Sequence, residues 1–194
     1  KADKLARLRI LHLPDLVGGH PTALSAGERS LGAISKTLSL NPSPFGYESD
    51  VGLQHQNGNV LQRWSERVST FARIRNRFDV FHFNFGSSLF NAQSGKLVLA
   101  DLPLYPGKAL KIMTYQGSDA RHSYGEYFQE SLAEEYRLGN GEVLDAFMAS
   151  HKKMLPVRQA AIEKASRYCD HLFALNPDLL DEIPSKRKSF LPFA

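Results

Sequence analysis

Four short polar clusters hold the residue types that could do chemistry in this sequence. The first is Val17, Gly18, Gly19 and His20, with Pro21 after it. Two residues without side chains ahead of a helix start leave backbone N–H groups and the positive end of the helix dipole open to a phosphate or carboxylate. The same glycine pair suits a tight turn at positive φ, and the spacing admits both readings. The second cluster is Asn84, Phe85, Gly86 and Ser87. The third, Gln116, Gly117, Ser118, Asp119 and Arg121, joins an amide, a hydroxyl, a carboxylate and a guanidinium, the mixture that hydroxyl-rich ligands require. Asp119 fits a ligand contact, a helix N-cap or a pair with Arg121. Asn176 is the fourth. His82 alternates with Phe81 and Phe83, which suits either a core histidine or a ligand contact at a strand end.

Several common chemistries lack their residues. No GxGxxG fingerprint follows the first strand, and Asn41 stands where a dinucleotide site would want an acid. Gly95-Lys96 has Phe90 in place of the first glycine of a phosphate loop and Leu97 in place of its hydroxyl. There is no GxSxG elbow. The 7 histidines show no metal spacing, and no Asp-x-Asp pair is present to hold a divalent ion. The expectation is therefore no metal and no cofactor. The single cysteine, Cys169, cannot close an internal disulfide and reads as a small packing residue.

These clusters need elements to position them. Short apolar runs alternate with helix-length segments, the pattern of a parallel sheet covered by helices on both faces, so the fold class is α/β and Rossmann-like. The strands are expected at 8–13, 37–40, 79–84, 109–115 and 171–176. A helix opening at Pro21 should bury Ala23, Leu24, Leu31 and Ile34. A second, over 60–77, should be capped by Asn59 and bury Trp64, Val68, Phe71 and Ile74. The stretch 41–59 is too long to be only a connector. Helical segments at 124–136 and 142–168 are broken at Gly139, Asn140 and Gly141, with a kink at Pro156, and a short helical turn spans 178–183. In a parallel sheet, ligands bind beyond the carboxyl ends of the strands, and all four polar clusters fall there.

The chain has 194 residues, 42% hydrophobic and 23% charged, which suits a folded domain with its own core. No run approaches the roughly 18 apolar residues of a membrane span, and a cytoplasmic location is expected. Net charge is +4 from 24 basic and 20 acidic side chains. Arg63, Arg67, Arg73, Arg75 and Arg77 crowd one segment and Lys186, Arg187 and Lys188 another; a solvated face and contact with phosphate or a peripheral anionic membrane are the two readings. Without an RNA-binding strand motif, a paired-cysteine finger or heptads, no nucleic-acid partner is expected.

Five segments carry a resemblance: Arg9 to Gly19 (RILHLPDLVGG), Asn41 to Gly46 (NPSPFG), Asp79 to Gly86 (DVFHFNFG), Ile112 to Arg121 (IMTYQGSDAR) and Phe173 to Ala194 (FALNPDLLDEIP through FLPFA). Together the chain resembles the amino-terminal, acceptor-binding domain of a GT-B glycosyltransferase of the retaining, family-4-like kind. The resemblance implies that residues 1–194 are one Rossmann-like half of a GT-B architecture, with the carboxyl-terminal donor-binding domain outside this chain. It implies metal-independent transfer of a sugar from a nucleotide-sugar donor to a hydroxyl acceptor, and inactivity of this half by itself. Gly18 and Gly19 would sit near the donor phosphates. His20, His82, Asn84, Gln116, Gly117, Ser118 and Arg121 would border the acceptor and sugar, with Asp119 as the catalytic candidate. The family often has a histidine where Gln116 stands, and Gln116 can hydrogen-bond a hydroxyl without carrying its proton. The alternative is a non-catalytic, flavodoxin-like module that binds an anionic or sugar ligand.

Overall fold

The structure, a computed structural model, describes residues 7–43, 45–53, 58–90, 98–122, 134 and 136–192. Its centre is a seven-stranded sheet: β1 (Arg9–Leu13), β2 (Ile34–Ser39), β3 (Val51–Gly52), β4 (Val80–Asn84), β5 (Leu110–Tyr115), β6 (His171–Ala174) and β7 (Lys188–Phe190). Every neighbouring pair is parallel, and the spatial order is β3-β2-β1-β4-β5-β6-β7. The helices are α1 (His20–Ser30), α2 (Val60–Ile74), α3 (Gly141–Tyr168) and α4 (Leu179–Glu182). This is the α/β, Rossmann-like class read from the alternation of runs.

Consecutive side chains on a strand point to opposite faces. Leu11, His12 and Leu13 are all fully buried on β1, as are Phe81 and Phe83 on β4 and Met113 and Tyr115 on β5. Both faces of the central sheet are therefore covered. On one side Tyr105 gathers the aromatic core, its ring 4.4 Å from Phe81, 5.3 Å from Phe83 and edge-on to Phe71 at 5.1 Å. At the amino ends of the strands, Arg9 clamps Asp79 through Nε at 3.0 Å and Nη2 at 2.7 Å, tying β1 to the start of β4.

α2 starts as the sequence reading expects. Asn59 accepts from the Gln62 amide at 2.9 Å while the Gln62 side chain accepts from the Asn59 amide at 2.9 Å, a reciprocal capping box. The helix ends at Ile74, short of Arg77, and its inner side is Thr70, Phe71 and Ile74, with Val68 left 53% exposed. Arg67 takes the position one turn before Phe71, its guanidinium over the Trp64 ring at 5.6 Å and donating to the Leu89 carbonyl at 3.3 Å. Arg75 similarly lies over Phe71 at 5.5 Å. The arginine cluster is thus only partly a solvated face, because these long stems cover apolar rings.

α1 departs furthest from expectation. Ala23 is exposed, as are Leu31 at 65% and Ile34 at 52%, and Ile34 opens β2 rather than extending the helix stripe. The side of α1 that meets the sheet is polar: His20, Pro21 and Ser25 are buried, with Glu28 beside them. Glu28 Oε2 lies 2.8 Å from His12 Nε2 and accepts from the Ser35 hydroxyl at 2.6 Å, while the Ser25 and Ser35 oxygens are 2.9 Å apart. Burial would raise the Glu28 pKa, but the bond and charge of His12 and the Ser35 hydroxyl outweigh it and hold the carboxyl below its usual range.

The basic run 186–188 is not a helix face but leads into edge strand β7. Lys188 Nζ donates to the carbonyls of Leu180 and Ile183 at 2.6 and 2.7 Å, and Arg187 Nη2 to Ser166 O at 2.9 Å, so the run satisfies the carboxyl ends of α4 and α3. α3 runs unbroken through Pro156 and ends at buried Cys169, whose thiol burial pushes up to about 12. The segment 124–133 expected to be helical lies outside the described residues.

Candidate functional site

The strand order fixes where the site must be. From β1 the chain moves to β2 and β3 on one side, whereas β4 leads to β5, β6 and β7 on the other, so the switch in direction falls between β1 and β4. His12 and His82 are register partners there, and the loops leaving β1 and β4 part above them.

The β1 loop makes a short 3-10 turn over Val17–Gly19, with Gly18 at φ 65 and Gly19 at φ 71, before α1 starts. Gly19 occupies the N-cap position and no side chain caps the helix. A Cβ on Gly19 would lie 2.6 Å from Tyr47 Cζ, so the Tyr47 ring rests directly on this glycine. Gly18 is exposed. The left-handed turn is present, and α1 starts without a side-chain cap, with Gly19, His20 and Pro21 themselves buried.

His20, His82 and Asn84 lie beneath the loops rather than on an open wall. His20 and Asn84 are fully buried, and His82 is 6% exposed. His82 Nε2 is 2.5 Å from the Thr114 hydroxyl, and its ring lies 4.9 Å from that of His12. Burial, then the charges of His12 and His20, drive His82 well below the usual imidazole range; burial and then His12 lower His20. Both are held as neutral imidazoles, with the short polar seam of α1 as the reason an apolar stripe is absent.

After β4 the backbone is left-handed at Phe85 and Gly86, with φ 53 and 55. Positive φ at a phenylalanine is uncommon and persists only where surroundings enforce it. Here Asp101, fully buried, accepts from the Ser88 hydroxyl, from the Leu89 amide at 3.1 Å and from Tyr105 Oη at 3.2 Å, and so pins the chain after the turn.

The β5 loop folds around Asp119. Its carboxylate accepts from the Gln116 amide at 3.0 Å and from the Gly117 amide at 2.7 Å. Burial outweighs these bonds and raises its pKa to about 6. Arg121 does not pair with Asp119: its guanidinium binds Asp178 through Nε at 3.0 Å and Nη2 at 2.6 Å. His122 Nδ1 hydrogen-bonds Glu182, so this bond and the Arg121–Asp178 ion pair staple the β5 loop to the segment after β6. Asn176 completes the join by donating to the Gln116 carbonyl at 2.6 Å. Gly117 and Ser118 face outward, and nothing lies within 4 Å of a Cβ built on Gly117.

Buried polar atoms with no hydrogen-bond partner among the described residues include Asn84 Oδ1, Tyr115 Oη and Gln116 Nε2, from residues at the ends of β4 and β5. Buried polar groups are nearly always satisfied, so each of these atoms has room for a water or ligand partner. Two cavities lie among the loops that follow the strands. One, about 170 Å³, is bounded by Gly86, Ser87, Ser118, Asp119, Met154 and Arg158. The other, about 290 Å³, lies between the β1 and β2 loops against Asp15, Val17, Ser39, Asn41 and the 76% exposed Phe45. A larger trough of about 720 Å³ between β3 and α2 shares no residue with these loops.

Sequence reasoning passed over Asp15, Arg158, Asp178 and Glu182. Asp15 had a signal, an acid directly after the first strand, and burial raises its carboxyl. Arg158 had none, because it reaches the site from the middle of a long helix. No group of three histidine, cysteine or acidic side chains suited to a metal occurs among the described residues, and among them no helix is long and apolar enough to cross a membrane. No protein-family model matches the chain, and the curated proteins hold no match to it.

Proposed function

We propose that this chain is the acceptor-binding, amino-terminal half of a retaining, metal-independent glycosyltransferase, which moves a sugar from a nucleotide-sugar donor to a hydroxyl acceptor. The observation that carries the reading is that a glycine turn with no side-chain cap and the unpartnered buried atoms of Asn84, Tyr115 and Gln116 belong to residues at the carboxyl ends of three neighbouring strands, β1, β4 and β5. Three of the segments that carry the resemblance run through strands into the loops just described. RILHLPDLVGG runs through β1 into the glycine turn, DVFHFNFG through β4 into the left-handed pair, and IMTYQGSDAR through β5 into the Asp119 loop.

The chemistry assigned to these residues is mostly positioning and charge stabilisation. The N–H groups at the start of α1 face the departing diphosphate. Gln116 hydrogen-bonds sugar or acceptor hydroxyls, Ser118 borders the acceptor, and the fully buried Asn84 supports the loop from beneath. Asp119 keeps the loop closed through the Gln116 and Gly117 amides, and a carboxyl titrating near 6 sits within range for proton exchange near neutral pH. His20 and His82 hold the floor.

The test is release of nucleoside diphosphate from nucleotide sugars by the parent gene product with mixed hydroxyl acceptors. Release that depends on acceptor is expected, with Gln116→Ala lowering kcat/KM by at least tenfold. Saturable sugar binding with no release would instead establish the non-catalytic module.

A further inference from the structure

The cavity of about 170 Å³ between the β4 and β5 loops and α3 has a feature that a site for neutral hydroxyls does not need. Arg158 lines it, half-buried, and its guanidinium donates from Nη1 to His151 Nδ1 at 2.6 Å. Among the described residues Arg158 has no ion pair with a carboxylate, unlike Arg9, Arg29, Arg121 and Arg137; half-buried Arg67 and Arg75 also have none, but they lie over the Trp64 and Phe71 rings. A guanidinium carries five N–H donors in a rigid fork and keeps its charge at any physiological pH. Sinking such a group without an anionic partner is costly, unless an anion arrives from outside.

The fork is also aimed. Because Arg158 donates to Nδ1, His151 must carry its proton on Nε2, which points to the His122 carbonyl at 3.3 Å. His151 is 6% exposed and fixed by its burial, and His122 is in turn held by Glu182. The chain of contacts from α4 through His122 and His151 thus sets the orientation of Arg158. Across the cavity stand the hydroxyls of Ser87 and Ser118. Asp119 is the one acid among the described residues of the wall, and its oxygens are already engaged by the Gln116 and Gly117 amides. At roughly 30 Å³ per water, the volume holds about five or six waters, enough for one oxyanion and the carbon that bears it.

We propose that this cavity is an oxyanion subsite, in which Arg158, oriented by His151, binds a phosphate or carboxylate carried by the ligand, with Ser118 completing the contact. For the acceptor identity this rests on the glycosyltransferase reading; the anion preference itself does not. The acceptor is then an anionic hydroxyl compound rather than a neutral sugar.

The experiment is calorimetric titration of the 194-residue chain with glucose, glucose 6-phosphate and glucuronate, which needs no turnover. At least tenfold tighter binding of a charged sugar than of glucose is expected; preference for the phosphate ester or for the uronate then names the head group. Arg158→Gln should abolish the preference, and Arg158→Lys should restore only part of it, since the charge returns without the fork. Ser118→Glu, at an exposed lip that leaves the core untouched, should abolish it as well. Equal affinity for all three sugars overturns the proposal, as does a preference that survives in folded Arg158→Gln or Ser118→Glu protein. An anion preference in this chain, together with no nucleotide release by the parent gene product, would sink the glycosyltransferase reading and leave the oxyanion subsite standing.

Discussion

Asp119 combines two features that usually oppose each other. Its carboxylate accepts backbone N–H bonds, which lower a pKa, yet burial lifts it to about 6. A raised carboxyl pKa means that the folded state binds the proton more tightly than the unfolded chain does. Its contribution to stability is therefore full below about pH 4 and is lost as pH rises through about 6. The loss is on the order of 2 kcal/mol over that window. Urea melts at pH 4, 5, 6 and 7 should show it in the native sequence and a flatter profile in Asp119→Asn. Parallel profiles would mean that Asp119 titrates as it does in the unfolded chain. Gly19 and Gly46 offer a second comparison, since both have positive φ but only Gly19 is pressed by Tyr47. Gly46→Ala should cost about 1 kcal/mol of backbone strain, and Gly19→Ala clearly more. Adding Tyr47→Ala to Gly19→Ala should recover part of that excess; an equal cost at both glycines rules out the ring contact. The glycine turn and the polar β5 loop were visible in the residues, because loop chemistry is local. Arg158 was not, because its place depends on how α3 lies over the strand ends.

At the level of elements, the features with local chemical signals were legible. Asn59 followed by Gln62 is readable as a helix start, and the capping box is present. Asn59→Ala should lower stability by about 1 kcal/mol without altering the site, as measured by the urea midpoint at unchanged m-value. A loss below experimental error would mean that packing alone holds the start of α2. Elements stabilised by polar burial were not legible. β2 reads as strand only from Thr37 because the inward residues Ser35 and Thr37 are polar and give no hydrophobic alternation. β7 was hidden by its charges, although Lys188 spends its ammonium on the carbonyls of Leu180 and Ile183 rather than on solvent. β3 spans only Val51–Gly52, too short for any periodicity to register.

The whole molecule is one continuous parallel sheet, with a core running from Leu38 on β2 to Leu172 on β6. The α/β class follows from alternation along the chain, but the strand order depends on pairings far apart in sequence, such as His12 with His82 and Ile112 with His171. Such a core should unfold in one cooperative step, with fluorescence and circular dichroism transitions coinciding. Under the functional reading the folded chain releases no nucleotide alone, and acceptor-dependent release by the isolated chain would refute the division of labour between two domains. The arginine surface of α2 should bind anionic vesicles weakly. At about 1 kcal/mol per basic side chain near the leaflet, Arg63 and Arg77 remain available while Arg67 and Arg75 lie on Trp64 and Phe71. Strong co-sedimentation at physiological salt, abolished by charge reversal at Arg63 and Arg77, would show a membrane-facing surface after all.

The hydrogen-bonded seam under α1 limits how this sequence can drift. An apolar contact tolerates the exchange of one methyl-bearing side chain for another at modest cost. Glu28 shared between His12 and Ser35, with Ser25 alongside, does not, because changing one member strands the others as buried polar groups. The four positions are free to vary only as a set, passing together to an apolar quartet or staying together as they are. Among diverged relatives His12, Ser25, Glu28 and Ser35 should therefore be inherited as a unit, and a chimera that takes α1 from one lineage and the sheet from another should fold poorly even when each half is well tolerated at home.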